Sequence, residues 1–224
     1  MTQKDRIRAD ALQYAGCKGA PDEKMLADYD RLYELAARSA RFRIVERQAQ
    51  IVLNPDGKTF EVPALNLSLS GNLAQDMLSD SAAVLVLGCT LGMAFEQQLN
   101  RLQVLSMADA VLFDAIGSAM LEDELDQWQK ARRKQIFPMH MTDRFSCGYG
   151  DLPLALQSDI AKALNLSQTI GVYVQPSLMM VPSKSVTALI GLSDQVQPAR
   201  ITGCAVCEMA VSCPYRKEGK TCST

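Results

Sequence analysis

The hydrophobic and polar positions of the chain alternate between two periods, and the changes of period mark out its elements. After Pro21 and Asp22, the residues Met25, Leu26, Tyr29, Leu32, Tyr33 and Ala36 recur at helical spacing, with acidic residues near the start where they favour the helix dipole. The first forty residues are helical in this pattern. From Arg41 the period shortens: Phe42 to Val45 and Ile51 to Leu53 predict strands, and Asn54-Pro55-Asp56-Gly57 is turn chemistry leading into a strand over Thr59 to Val62. Leu65, Leu67 and Leu69 alternate with Asn66 and Ser68, the mark of a half-buried strand.

Ala82 to Leu87 is apolar throughout, which predicts a strand covered on both faces, closed by a turn at Gly88-Cys89-Thr90-Leu91-Gly92. That glycine pair matches neither a Walker loop nor a dinucleotide fingerprint, so the turn is read as structural. A long helix follows from about Ser106 to Lys134, with an acidic middle at Glu122-Asp123-Glu124 and a basic end at Arg132-Arg133-Lys134. Beyond it the pattern predicts a helix after Pro153 running to about Leu164, a strand over Thr169 to Val174, core positions at Met179, Met180 and Val181, and a last strand over Val186 to Ile190.

Composition narrows the class. With 48% hydrophobic residues in 224, the chain can bury a substantial core, which excludes a disordered or fibrous protein. A formal charge of −2 with interspersed signs leaves no basic footprint for nucleic acid. The longest apolar run is far too short to span a bilayer, and the charged start MTQKDRIRAD lacks the apolar core of a signal peptide, so a cytoplasmic protein without a membrane partner is expected.

Two stretches carry candidate chemistry. In Arg144-Phe145-Ser146-Cys147-Gly148-Tyr149-Gly150 a guanidinium, a small-residue turn and a phenol lie within seven positions. Arg144 offers a planar fork for a carboxylate or phosphate, or else holds its own loop through backbone carbonyls. Gly148 allows close approach, and Tyr149 offers a ring face and a hydroxyl. Cys147 reads as a small side chain in a tight loop. The second stretch is the stripe Asp114, Ser118 and Glu122 at i, i+4 and i+8 on the long helix, which is either a solvated face or a wall that faces a ligand. The single histidine, His140, reads as a loop residue with an ordinary hydrogen bond, and a chain with one His has no triad to spare beyond it.

The order of these elements resembles the activation domain of cobalamin-dependent methionine synthase. The resemblance rests on Arg144, Gly148 and Tyr149 as R-x-x-x-G-Y, on Pro153 and its helix, and on Met180, Pro182, Ser185 and Val186 as M-x-P-x-x-S-V. It is clear over about fifty residues, from 143 to 191, and fainter over the preceding hundred. It implies an α+β fold, a twisted and mainly antiparallel sheet flanked by helices with one long central helix. It also implies a loop that binds S-adenosylmethionine and meets the corrinoid, with Asp114 and Glu122 as carboxylates facing the ligand's amino group or sulfonium. Ser118 stands where the family carries a carboxylate. Lys184 and Ser185 flank the cleft, Lys184 toward a corrin carboxamide or the ligand ribose, and His140 lies near enough in sequence to approach the corrinoid. Past Gly191 the likeness stops, at the point where the family continues with an aromatic strand that holds the adenosine.

A cysteine tail follows instead, so the chain divides into an activation-like domain over 1–200 and a tail over 201–224. Cys204, Cys207, Cys213 and Cys222 give C-x2-C-x5-C-x8-C within nineteen residues. Such thiolates suit zinc or an iron–sulfur cluster, with free thiols as the remaining reading. Taken together, the expectation is a stand-alone reactivation subunit. It would bind S-adenosylmethionine and cap the cobalamin of a corrinoid-binding methionine synthase that lacks its own activation domain, with a separate one-electron donor. A complete catalytic constellation is absent from the sequence, which agrees with half of a shared active site. Two other classes stay open: a corrinoid cap or chaperone that does not use S-adenosylmethionine, and a redox protein with a cluster on the tail.

Overall fold

The computed structural model describes residues 2–17 and 19–200. In chain order the elements are α1 (Gln3–Tyr14), α2 (Glu23–Ser39), β1 (Arg43–Gln50), β2 (Val52–Leu53), β3 (Thr59–Val62), a 3-10 turn at Pro63–Leu65, β4 (Leu67–Ser70), α3 (Asn72–Leu78), β5 (Ala83–Thr90), α4 (Met93–Leu105), α5 (Met107–Gln135), β6 (His140–Met141), α6 (Leu156–Ala163), α7 (Leu166–Thr169), β7 (Tyr173–Val174), β8 (Met180–Val181) and β9 (Ser185–Ser193). Local chemistry sets several of these boundaries. Thr2 and Asp5 form a reciprocal capping box on α1, and the Asp22 carboxylate accepts the Met25 N–H at 2.7 Å to start α2.

A four-stranded sheet has the order β1-β5-β9-β6, a three-stranded sheet the order β2-β3-β4, and β7 pairs with β8. The pairings β2–β3, β3–β4, β6–β9 and β7–β8 are antiparallel. The strand ends show the same sense for the rest of the large sheet. Arg41 N–H donates to Leu91 O and Ile51 N–H to Ala82 O, while Leu91 N–H donates to Lys184 O and Ala82 N–H to Leu192 O.

The described residues form two compact units. One comprises 2–45, 89–132 and 166–186, without the undescribed residue 18, and the other 46–88, 133–165 and 187–200. In the first, α2 packs with α4, and Tyr29, Leu32, Phe95, Phe113 and Ile116 are fully buried. Each such side chain stabilises the fold by about 1.5–3 kcal/mol relative to exposure. In the second, α3 packs on β3 and β4, and α6 on β4, over Phe60, Val62, Leu67, Leu69 and Met77. None of the helices among the described residues is long and apolar enough to cross a membrane.

The periodic segments appear where the sequence places them: α2, β3, β5 and the long helix α5. Four details differ. Gly88, Cys89 and Thr90 continue β5 rather than turning, because Leu91 just beyond them still bonds to backbone on both sides; the chain turns only at Gly92, with φ +86°, before α4. Thr169 to Val174 is not one strand. Its start belongs to the short helix α7, where Ile170 N–H closes onto Leu166 O, and only Tyr173 and Val174 pair. Met179 is 63% exposed and Met180 and Val181 only half-buried, because β8 has a partner on one side alone among the described strands. His140 lies in β6, paired with Ser193, rather than in a loop.

Candidate functional site

Within the first unit, α5 carries the stripe Asp114, Ser118 and Glu122, four residues apart and therefore on one face. Lys184 closes on that stripe from just before β9. Its Nζ lies 2.8 Å from an Asp114 carboxylate oxygen and donates to Ser118 Oγ at 2.8 Å. The side chain of Lys184 is 13% exposed and that of Asp114 48%, so the pair is shielded mainly on the lysine side. The lysine backbone is held as well, its carbonyl accepting Leu91 N–H at 2.9 Å and Thr90 Oγ1 at 3.3 Å.

The residues around Lys184 are tied down in the same way. Ser183 donates its N–H and its hydroxyl to Glu96 of α4, at 2.9 and 2.5 Å. The Ser185 hydroxyl is buried, 2.7 Å from the Pro182 carbonyl and 2.8 Å from Thr90 Oγ1. Its hydrogen-bonding capacity is therefore largely spent inside the protein. The Lys184 end of this arrangement lines a cleft of about 340 Å³ together with Tyr14, Ser118 and Glu122. A second cleft, of about 400 Å³, continues along α5 past Asp114 and Val111, and Tyr14 and Ser118 line both. Tyr14, at the end of α1 and half exposed, thus places an aromatic ring at the cleft. No motif or spacing in the sequence singles it out.

In the second unit, Arg144, Gly148 and Tyr149 form the loop that the sequence singles out. Its root is pinned by Phe145, which is 2% exposed and exchanges two backbone hydrogen bonds with Leu189, at 3.0 and 2.8 Å. The loop then closes on itself: Tyr149 N–H donates to Ser146 O, Gly148 N–H to Leu152 O, and Leu152 N–H to Tyr149 O. Gly148 adopts φ +82°, and a Cβ there would meet Leu154 Cδ1 at 3.1 Å, so both backbone and space require glycine. Tyr149 is 50% exposed, offering its ring outward from a rigid turn. Burial pushes the Cys147 thiol up to about 11, which keeps it protonated at neutral pH.

Asp151 anchors the far side of this loop, and sequence reasoning missed it. Its carboxylate accepts the N–H groups of Asn72 and Leu73, the first residues of α3, at 2.6 and 2.9 Å. Those bonds hold its carboxyl below the usual range. Asp114, Ser118, Glu122, Lys184 and Ser185 are brought together in one unit, while Arg144, Gly148 and Tyr149 are brought together in the other. Cys204, Cys207, Cys213 and Cys222 lie outside the described residues. Cys17 and Cys147 are free thiols, and the described residues include no cluster of His, Cys, Asp and Glu suited to a metal.

No family model matches the chain, and no curated protein matches it in sequence. Among solved structures it is similar to the MetH reactivation domain bound to AdoHcy, with a TM-score of 0.63 over 99% of this chain and 84% of that one. The chain has the MetH reactivation-domain fold. At 13% identity the likeness is one of architecture. It bears out the expected α+β arrangement, in which a mainly antiparallel sheet accompanies one long helix, here α5 of 29 residues. In this reactivation-domain fold the cleft of the first unit has a lysine paired within the chain to Asp114, and the loop of the second carries Arg144 and a half-exposed Tyr149.

Proposed function

We propose that this chain is a stand-alone reactivation subunit for a cobalamin-dependent methionine synthase that lacks its own activation domain. The observation that carries the reading is the structural likeness, over 99% of the chain, to a reactivation domain holding AdoHcy, the demethylated form of S-adenosylmethionine. In this role the chain supplies the site of the methyl donor and covers the partner's corrin. The reaction served is reductive methylation: an external donor gives one electron to cob(II)alamin, and the resulting cob(I)alamin takes the methyl carbon while the sulfur keeps the electron pair of the broken C–S bond.

The chain's own residues bind, orient and exclude. Arg144 engages the ligand's carboxylate through its planar fork, an interaction whose loss costs roughly 1.5–3 kcal/mol. Gly148 permits close approach of the backbone, and Tyr149 covers the ligand or the upper face of the corrin. Glu122 and Asp114 supply negative charge along α5. With no general acid or nucleophile to arrange, the contribution is one of proximity and orientation. Calorimetric titration of S-adenosylmethionine into the intact protein and into Arg144→Ala, each with and without the partner's cobalamin module, tests this. Saturable binding that Arg144→Ala weakens at least about tenfold supports the methyl-donor site. Absence of binding even with the cobalamin module present sinks it.

One observation favours a second reading. The Asp114 carboxylate is already paired with Lys184, and Ser118 stands between Asp114 and Glu122, so this stripe offers less negative charge to a cationic ligand than three carboxylates would. A corrinoid cap or chaperone that does not use S-adenosylmethionine fits that chemistry. It predicts binding of the cobalamin module with no dependence on the methyl donor.

A further inference from the structure

We propose that Lys184 tunes the charge preference of the cleft on α5, its ammonium offsetting the Asp114 carboxylate so that a sulfonium gains less over the corresponding thioether than it would without the lysine. The proposal rests on reading that cleft as part of the site for an adenosyl ligand.

The ammonium is built into the wall. The backbone of Lys184 is held by Leu91 and Thr90, and its neighbours Ser183 and Ser185 are fastened by Glu96, Pro182 and Thr90. Its stem passes α5 at Gly117, where an added Cβ would lie 3.4 Å from Lys184 Cε, in ordinary contact. With 13% exposure and two of its three N–H donors directed at Asp114 and Ser118, the ammonium has little freedom to withdraw.

A cation at the cleft therefore meets Asp114, the more exposed partner, as half of an ion pair, with Glu122 on the same stripe and the shielded ammonium behind, and the lysine charge cancels part of the attraction the carboxylates exert. A thioether carries no charge and is indifferent to this offset. The same asymmetry bears on methyl transfer. As the C–S bond breaks, the sulfur retains the electron pair and its positive charge vanishes, so repulsion present with the bound sulfonium is relieved on the way to the transition state. Lys184 is thus a specificity-determining residue whose charge favours departure of the methyl group.

The test is the ratio of two dissociation constants, for S-adenosylmethionine and S-adenosylhomocysteine, measured calorimetrically on the full chain and, in a parallel arm, with the partner's cobalamin module. Lys184→Met shifts the ratio toward the sulfonium by about tenfold, Lys184→Arg keeps the intact ratio, and Asp114→Asn moves it toward the thioether. A role confined to packing would lower both affinities together and leave the ratio unmoved. If both ligands bind and Lys184→Met has the intact ratio, or if Lys184→Arg behaves as Lys184→Met does, the charge assignment to Lys184 is overturned while the adenosyl reading stands. Failure of the intact protein to bind either ligand in either arm overturns both.

Discussion

The Asp151 carboxylate occupies the space in front of Gly71. A Cβ added to Gly71 would lie 2.9 Å from Asp151 Oδ1 and 3.2 Å from its carbonyl oxygen, and Gly71 itself sits at φ +116°, where L side chains are strained. This close approach lets Asp151 accept the first N–H groups of α3 and so ties the loop of Arg144, Gly148 and Tyr149 to a second element. The loop is anchored at both ends, by Phe145 on Leu189 and by Asp151 on α3.

Gly71→Ala therefore breaks the tether in two ways, through the clash with Asp151 and through the backbone. It lowers stability by about 1–3 kcal/mol, the range for a strained backbone conformation. Asp151→Asn removes only the charge. The folded carboxyl is held below its ordinary pKa, so its contribution is present above that value and fades as pH falls through the folded one. Melting curves over pH 7 to 2.5 should show the intact protein above Asp151→Asn at neutral pH and the two converging in acid. A constant gap at all pH values would remove the charge from the account.

Gly117 is a glycine inside a helix, where it costs stability unless packing demands it. Here packing does: a Cβ would fall 2.7 Å from Phe95 Cε1, and that ring is fully buried and stacked on Phe113 at 4.4 Å between centroids. Gly117→Ala gains helix propensity of about 1 kcal/mol and loses about 1–3 kcal/mol to overpacking. The expected net is a lower midpoint in thermal and urea unfolding. An unchanged or higher midpoint would mean that the Phe95–Phe113 stack can give way.

These two glycines show what could be read from the sequence and what could not. The helix α2, the turn at Asn54 to Gly57 and the long helix α5 were legible because their signals are local, in spacing and turn chemistry within a few residues. The loop at Arg144 was legible in its composition and through the resemblance, and so was the stripe on α5. The partners were not. Asp151 caps residues 79 and 78 positions away, Lys184 reaches Ser118 across 66, and Tyr14 comes to the cleft from the other end of the chain, none of which leaves a periodic trace. The continuation of β5 through Gly88 was hidden for the same reason, since a glycine reads as a turn until its neighbours' ladder partners are known.

An acidic cluster in the first unit predicts a pH effect of opposite sign to that of Asp151. Asp123 is 8% exposed and bonded to Arg6 at 2.9 Å and to Gln3 at 2.8 Å. Asp10 has its carboxyl raised by burial and then by the charges of Asp123 and Asp126. A carboxyl raised on folding favours the native state below its unfolded pKa and loses that contribution as pH rises through the folded one. Asp10→Asn should therefore raise the melting temperature at pH 7, with the advantage vanishing below about pH 4. Arg6→Ala does the reverse: it leaves the Asp123 carboxylate without its cation, though still bonded to Gln3 and Gln127, for a loss of about 1–3 kcal/mol. A melting temperature for Asp10→Asn below that of the intact protein at pH 7 would show that Asp10 is stabilised by contacts that outweigh this repulsion.

Cys147 sits within the loop assigned to the methyl donor, where a thiolate would compete with cobalt for the methyl of a sulfonium. Burial raises this thiol from its ordinary value of 9.0 to about 11, so at neutral pH almost none is ionised. The expected result is slow alkylation of Cys147 by iodoacetamide at pH 8, followed by peptide mass spectrometry to separate it from the other six cysteines. The rate should climb about tenfold per pH unit until the thiol titrates. In the unfolded chain the same residue labels at the speed of an ordinary thiol, and because the folded value is the higher one, ionisation above pH 9 draws stability from the native state. Labelling of the native protein at pH 8 as fast as that of the unfolded chain would contradict a buried, protonated thiol. It would leave a reactive nucleophile in the loop, which a methyl-donor site could not tolerate.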